Sequence, residues 1–333
     1  MKAAYIRSTG GPETIEFGDV AEPALGDGQV LIQTHAVSVN PIDTYIRSGA
    51  NYWPLPNPYV IGCDLAGTVL ALADGVGKFR VGDRVWCSNQ GLMGRQGTFS
   101  ERCAVDAAWL YPTPEGVPEI DVAATALVGI TAHLGLFRTA HLQPGETIFV
   151  RGGVGGVGSM VVQMASAIGA RVIATAGSPE KCYRCQQLGA EVVIDYTRED
   201  VEQRIKSVAP QGVDVFWETL REPDFTMAVN VMAERGRMVL MAGRDARPPF
   251  PVGPFYVKGC SLLGFAMFKA TPEEQHQAAV DINHWHSSGK IKSVIDRILP
   301  LREAAQAHRL QEEHTVHKQS SLQGKLVLTP DGR

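Results

Sequence analysis

The densest chemically suggestive stretch in the chain is Gly152-Gly153-Val154-Gly155-Gly156-Val157-Gly158, which contains G-x-G-x-x-G at Gly153, Gly155 and Gly158. The pattern alone is common. Here it follows an apolar run, Ile148-Phe149-Val150, and opens a segment whose apolar face includes Met160, Val161, Met164 and Ile168 at helical spacing. In a strand–turn–helix setting each glycine has a task. Gly153 permits the tight turn, Gly155 lets the backbone approach a pyrophosphate, and Gly158 allows close helix–strand packing. Exposed N–H groups around Gly156 and Val157 supply donors and the positive end of the helix dipole. The residues therefore predict a dinucleotide site, with a ligand-free glycine turn as the alternative.

The end of the next strand bears on which dinucleotide. An NAD site places Asp or Glu about 20 residues after the first glycine, on the ribose hydroxyls. This chain has Thr175-Ala176-Gly177-Ser178, no acid until Glu180, and then Lys181 and Arg184. Small neutral groups beside basic ones suit a 2′-phosphate, which favours NADPH. The alternative is that Lys181 and Arg184 are only a solvated helix face.

Two further clusters invite a metal or redox reading. Cys182-Tyr183-Arg184-Cys185 is a C-x-x-C, but no second such pair exists to complete a zinc tetrahedron. Two thiols on one side of a helix is the expected reading. His284-Trp285-His286 lacks further ligands at suitable spacing, and residues two apart on a helix face different ways. No metal site is expected. The six cysteines are scattered through the chain, and Met1 to Arg7 lacks the apolar stretch of a secretory signal. That combination fits reduced thiols and a cytoplasmic location.

The elements that must position these residues follow from composition and pattern. The chain has 333 residues, 44% apolar and 20% charged, with net charge −4. That length suggests two domains. The charge gives no reason to expect a nucleic-acid partner. Val122 to Phe137 is the most apolar run, but Thr125, Gly129, Thr131, His133 and Gly135 interrupt it, so no membrane span is expected. Glycine is in excess, at 35 residues. The first 110 or so residues read as short strands between glycine turns, such as Gln29 to Val37 and Asp64 to Leu72, which suggests a small barrel-like β domain. From about residue 120, strands at 147–152, 171–176, 191–195, 213–217, 237–242 and 261–265 alternate with helical segments at 158–168, 179–188, 201–209 and 225–232. That alternation predicts an α/β, doubly wound parallel sheet. A capped helix starting at Thr271-Pro272-Glu273-Glu274, a strand near 294–299, a helix over 301–311 and a strand over 325–328 close the chain.

With the βαβ unit set behind a β-rich segment, the chain resembles the medium-chain dehydrogenase/reductase superfamily, and within it the zinc-free quinone oxidoreductases related to zeta-crystallin. Ordered motifs carry the resemblance over essentially the whole length. They are Gly10-Gly11-Pro12-Glu13, Val39 to Gly49, Gly62-Cys63-Asp64-Leu65-Ala66-Gly67, Val81-Gly82-Asp83-Arg84-Val85, Gly155 to Gly158, and Gly324-Lys325. The resemblance implies a GroES-like catalytic domain over 1–120 and 266–333, and a Rossmann NADPH-binding domain over 121–265, with substrate in the cleft between them. It further implies a homodimer or homotetramer, with the strand at 261–265 as the edge that pairs.

Zinc-dependent alcohol dehydrogenases of the superfamily carry Cys near Asn40, Gly-His-Glu near Gly62-Cys63-Asp64, and Cys near Val128. All three positions are altered here, and the four-cysteine structural lobe is missing from 87–103. By the same resemblance Tyr45 lies on the nicotinamide side, and Val154, Gly155, Gly156 and Val157 hold the pyrophosphate. Gly177, Ser178, Lys181 and Tyr196 fall at the adenosine end. Met241, Ala242, Gly243 and Arg244, together with Ala266, Met267 and Phe268, line the nicotinamide half. Lys325 is a cofactor-side candidate. Two stretches depart from relatives: Glu218-Thr219-Leu220, with the charged Arg221 to Asp224, and the proline-rich Arg247 to Phe255.

Hydride delivery from a reduced nicotinamide requires an electron-poor carbon held close and aligned. Quinones and α,β-unsaturated carbonyls qualify, since the charge generated moves onto an oxygen that hydrogen-bond donors can stabilise. The candidates are Asn40 for polarising the carbonyl, Tyr45 for orienting substrate or passing a proton, and Tyr52 farther out. Thr131 is expected at the carboxamide or ribose, and Asp43 is expected to orient Arg47 or Tyr45. For Tyr45, packing on the nicotinamide stays open as an alternative; for Asn40-Pro41, a simple turn. The expected activity is NADPH-dependent quinone reduction. The alternatives are reduction of activated C=C bonds in enals, enones or enoyl thioesters, and a non-catalytic NADPH-binding protein.

Overall fold

The computed structural model describes residues 1–50, 53–317, 319 and 322–330. The chain begins with strands β1 (Lys2–Ile6), β2 (Glu16–Asp19) and β3 (Gln29–Ser38), then the short helix α1 (Pro41–Arg47). Strands β4 (Tyr59–Val60), β5 (Leu65–Leu72), β6 (Arg84–Cys87), β7 (Arg102–Asp106) and β8 (Leu110–Pro112) follow, then helix α2 (Glu119–His133). Alternation starts with β9 (Thr147–Arg151), α3 (Gly156–Ala167), β10 (Arg171–Ala176), α4 (Pro179–Gln187), β11 (Val192–Asp195) and α5 (Val201–Val208). It continues through β12 (Val213–Glu218), α6 (Phe225–Val231), β13 (Met232–Leu240), α7 (Val252–Val257) and β14 (Ser261–Gly264). Helix α8 (Pro272–Ser287), β15 (Ile295–Pro300), α9 (Ala304–Thr315) and β16 (Lys325–Thr329) end the described chain.

The chain divides into two compact units. The first comprises Met1–Ile130, Ala270–Ser287 and Lys292–Arg333; the second, Thr131–Lys269 and Ser288–Ile291. The division falls about ten residues later than the expected boundary at 120, because α2 runs through that point without a break. From Glu119 to Thr139 the chain is helical and apolar enough to span a membrane by composition, yet 78% of that window is buried inside the protein. The polar residues that interrupt the run, Thr125, Thr131 and His133, are packed in the core with it.

In the first unit the strands pair as a three-stranded sheet, β2-β1-β4, and a seven-stranded sheet along β15-β16-β3-β5-β6-β8, with β7 also pairing β3. These are the GroES-like strands, and among the described residues their path does not close into a barrel. Strand β3 alternates buried and half-buried positions until Ala36, where burial becomes continuous through Val37 and Ser38. The strand thus runs from a half-solvated face into the interior, and it delivers Asn40 and α1 there. The N–H of Asn40 donates to the Asp43 carboxylate at 2.7 Å and Pro41 takes the first helical position. Both features start a helix where no intrahelical bond is yet available.

The second unit is a six-stranded parallel sheet in the order β11-β10-β9-β12-β13-β14, the Rossmann arrangement expected from the alternation. Phe149, Ile173, Ile194, Phe216 and Met238 pack beneath α5 and α6 with Ile205, Val229 and Val231. Strand β13 begins five residues before the expected Arg237. Its first part bends at Arg235, which has φ +61° and donates its N–H to Lys258 O at 2.8 Å. An irregular register against β12 accompanies the bend. A bulge of this kind has no signature in the apolar pattern.

Candidate active site

Because every strand of the second unit runs the same way, the carboxyl ends of β9, β10, β11, β13 and β14 share one edge of the sheet. The expected cofactor residues lie there: the turn at 152–158, Gly177 to Lys181, Tyr196, Met241 to Arg244, and Ala266 to Phe268. Ligands of such sheets bind at this edge. Gly152 takes φ +87°, and its N–H donates to Thr175 Oγ1 at 2.9 Å, while Gly153 N–H donates to Thr175 O at 2.9 Å. A Cβ on Gly158 would lie 2.0 Å from Gly152 O, and one on Gly153 would lie 2.6 Å from Cys185 Sγ. Gly158 is therefore set by backbone approach, and Gly153 by the side chains of Cys185 and Ala174 packed against it. The cap residue of α3 is Gly155, which has no side chain to satisfy the first N–H groups of the helix. An anion is their natural partner.

At the end expected to take the adenosine, Ser178 caps α4, its Oγ accepting from Lys181 N–H at 3.2 Å. This places Lys181 in the first turn, one turn before Arg184, which lies 3.9 Å from Glu180. A Cβ on Gly177 would meet the Tyr196 hydroxyl at 2.2 Å, so the mostly exposed Tyr196 ring stands over that glycine. Gly243 takes φ +80°, and a side chain there would meet Arg221 O at 2.6 Å. Met267 is buried in a short 3-10 turn after β14, where Phe268 lies beneath the Lys269 ammonium at 6.0 Å. Thr131 is buried in α2.

The sequence did not point to Arg151 and Glu218 as a pair. They stand side by side at the carboxyl ends of β9 and β12, 3.0 Å apart, and Glu218 is almost fully buried. Burial pushes the Glu218 carboxyl up, while Arg151 and the Leu220 N–H draw it back down. Adjacent strand ends bring the two together from 67 residues apart.

In the first unit the structure gathers Ser38, Asn40, Asp43, Cys63, Asp64 and Lys325 into one buried cluster. Asp64 accepts from Ser38 Oγ at 2.6 Å, Asn40 Nδ2 at 2.7 Å and Leu127 N–H at 3.0 Å. Lys325 Nζ donates to Val39 O at 2.7 Å and to Asn40 Oδ1. Both ends of the Asn40 amide are thus engaged inside the protein. Asn40 has no exposed surface from which to polarise a substrate carbonyl, a correction to the role expected of it. Asp43 is fully buried, and burial pushes its carboxyl up to about 7 despite a hydrogen bond from the Cys63 thiol. It caps α1 through the Asn40 N–H. Arg47 is held elsewhere, by Gly10 O and the Glu312 carboxylate, so Asp43 does not orient it. Lys325 also departs from expectation, since two of its three N–H donors are used inwards. Tyr45 is half-buried on α1, and Tyr52 lies outside the described residues.

The family description "alcohol dehydrogenase GroES-like domain" matches residues 26–115, and "zinc-binding dehydrogenase" matches 156–283. A quinone oxidoreductase of Sus scrofa is 34% identical over 332 residues, covering 98% of this chain and 97% of the relative. The chain belongs to the quinone oxidoreductase family of the medium-chain dehydrogenase/reductases. Among solved structures, the Escherichia coli quinone oxidoreductase complexed with NADPH superposes with a TM-score of 0.84, at 27% identity over 99% of this chain and all of that one. An NAD-dependent alcohol dehydrogenase superposes with a TM-score of 0.89, at 29% identity over 99% of each chain. Shared backbone thus leaves the choice of reaction to the sites themselves. The zinc that one family description implies finds a poor donor set in the first unit. There the Asn40 amide, the Cys63 thiol and the carboxyls of Asp43 and Asp64 surround the Lys325 ammonium, whose positive charge opposes a second cation at that place. Among the described residues no group of three His, Cys, Asp or Glu side chains could hold a metal.

Proposed function

We propose that this chain is an NADPH-dependent quinone oxidoreductase that works without zinc. The observation that carries the reading is the glycine cradle with an adenosine end that is basic and free of a ribose-binding acid. The N–H groups at the start of α3 hold the pyrophosphate, and Ser178 and Lys181 take the 2′-phosphate beside Tyr196. NADPH, when bound, supplies the hydride. The Tyr45 hydroxyl donates to the substrate oxygen on which negative charge develops, and Asn40 positions α1 from inside the fold. A lysine ammonium at the buried cluster of the first unit supports zinc independence. The six cysteines are all free thiols, in keeping with a cytoplasmic protein. Among the described residues strand β14 ends the parallel sheet with one edge unpaired, and it carries the exposed Leu262, which favours pairing with a second copy.

The test is NADPH oxidation against naphthoquinones, enones and enoyl-CoA thioesters. We expect the highest kcat/KM with quinones. Preference for the enones or thioesters reassigns the chain to C=C reduction, and NADPH binding with no turnover makes it a binding protein. One zinc per chain in purified active enzyme overturns the metal-free reading. Two substitutions probe the assigned residues. Lys181→Glu replaces an attraction for the 2′-phosphate by a repulsion, so the NADPH Kd rises roughly 30-fold, about 2 kcal/mol. The NADH Kd changes less than threefold, and an equal change for both cofactors removes Lys181 from the site. Tyr45→Phe lowers kcat at least tenfold with the NADPH Kd unchanged; turnover within twofold of the parent refutes the donor role.

A further inference from the structure

We propose that Lys325 is a positioning residue for the reduction, its buried ammonium orienting the Asn40 amide and thereby fixing helix α1 and Tyr45. The proposal rests on the reading above that Tyr45 serves the reaction. An asparagine amide has a donating end and an accepting end, and its surroundings choose between the two orientations. Here Lys325 can only donate, so it faces Oδ1, and Asp64 accepts from Nδ2 at 2.7 Å. The two contacts agree, and only one amide orientation satisfies both. The Asn40 backbone is held as well, its N–H on Asp43 at 2.7 Å. Lys325 Nζ also binds Val39 O at 2.7 Å, the residue before this cap.

Helix α1 needs such an anchor. It has seven residues, well short of the length at which a helix persists alone. Its last residue, Arg47, is tied to Gly10 O and Glu312. The Lys325–Asn40–Asp64 chain ties its start, and Tyr45 lies between the two anchors. The ammonium also faces two buried carboxyls, Asp43 and Asp64, and draws both towards ionisation against burial. Removing it therefore loosens the cap and leaves Asp64 without its cation. A cofactor-binding lysine would present its ammonium outwards, whereas this residue is 6% exposed.

The experiment uses Lys325→Met, which keeps the stem and deletes the charge, beside Asp64→Asn. We expect the NADPH Kd of Lys325→Met to stay within threefold of the parent, kcat to fall at least tenfold, and amide exchange across residues 41–47 to quicken at least tenfold. The amides of β5 and β6 keep their protection. A tenfold rise in NADPH Kd with unchanged exchange at 41–47 places Lys325 on the cofactor instead and overturns the proposal. So does kcat within twofold of the parent. If Lys325→Met does not fold, Asp64→Asn decides alone: faster exchange at 41–47 with reduced kcat supports the chain of contacts, and parental values of both refute it. A parent enzyme that reduces no acceptor refutes the functional reading, and the exchange and Kd measurements still decide whether Lys325 anchors α1.

Discussion

Gly158→Ala lowers NADPH affinity at least a hundredfold and destabilises the second unit by roughly 1–3 kcal/mol, the usual range for overpacking. The added Cβ would lie 2.0 Å from Gly152 O and 3.0 Å from its carbon. Both atoms are backbone, in a turn pinned by hydrogen bonds from Gly152 and Gly153 to Thr175, so no flexible side chain can yield. Helix α3 must move away from the turn, and its first N–H groups leave the positions from which they meet an anion. A hundredfold loss is about 2.7 kcal/mol, comparable to losing two charge-assisted hydrogen bonds. Fluorescence titration with NADPH and a thermal melt measure the two effects. Gly155→Ala is the control for stability: its Cβ would meet only Gly152 O at 3.5 Å, and its φ of −68° suits alanine. That variant keeps the parental melting temperature. A Gly158→Ala protein with NADPH Kd within threefold of the parent contradicts the close-packing account.

The second large effect is a stability that depends on pH through Asp43. Its carboxyl is buried beside Cys63, Asp64 and Lys325, and burial raises it from the ordinary 3.8 to about 7. Between these values the folded chain keeps a proton that the unfolded chain has released, so the folded state binds more protons. Stability then falls as pH rises from about 4 to about 7 and is flat in this respect outside that window. Three units correspond to roughly 4 kcal/mol. Two buried histidines act in the opposite sense over part of the range. Burial holds His308 down to about 3 and His286 to about 4, so each destabilises the fold as pH drops below its ordinary 6.5. The informative quantity is therefore the difference between Asp43→Asn and the parent at each pH. Asparagine can still accept from the Asn40 N–H without the burden of ionisation. Urea unfolding should show the variant gaining roughly 3 kcal/mol on the parent between pH 5 and pH 8. A constant difference across that interval contradicts a neutral, buried Asp43.

What could be read from the residues alone follows the range of the contacts involved. The glycine turn was legible because strand, glycines and helix are consecutive, and the segment Gly177 to Lys181, proposed for the adenosine, lies one strand later. Periodicity also located the strands of the parallel sheet within a residue or two, except β13, whose bent start depends on Lys258 across the chain. The cluster in the first unit was legible only as separate motifs. Asn40, Gly62-Cys63-Asp64 and Gly324-Lys325 stood out by type, yet the roles expected of Asn40 and Lys325 pointed outwards, to substrate and cofactor, and Asp43 was expected to orient Arg47 or Tyr45.

Tertiary structure turned those residues inwards. Lys325 meets Asn40 across 285 residues, and Asp64 meets Leu127 across 63. Pairing of β16 with β3 makes the first contact possible, and no local pattern records it. The sequence by itself determined a Rossmann unit with a phosphate cradle beside a β-rich unit, because steric need for glycine and the alternation of apolar residues are local constraints. Only the folded chain decided which polar side chains are free to meet a ligand. That choice depends on burial and on partners that distant strands bring within hydrogen-bond reach.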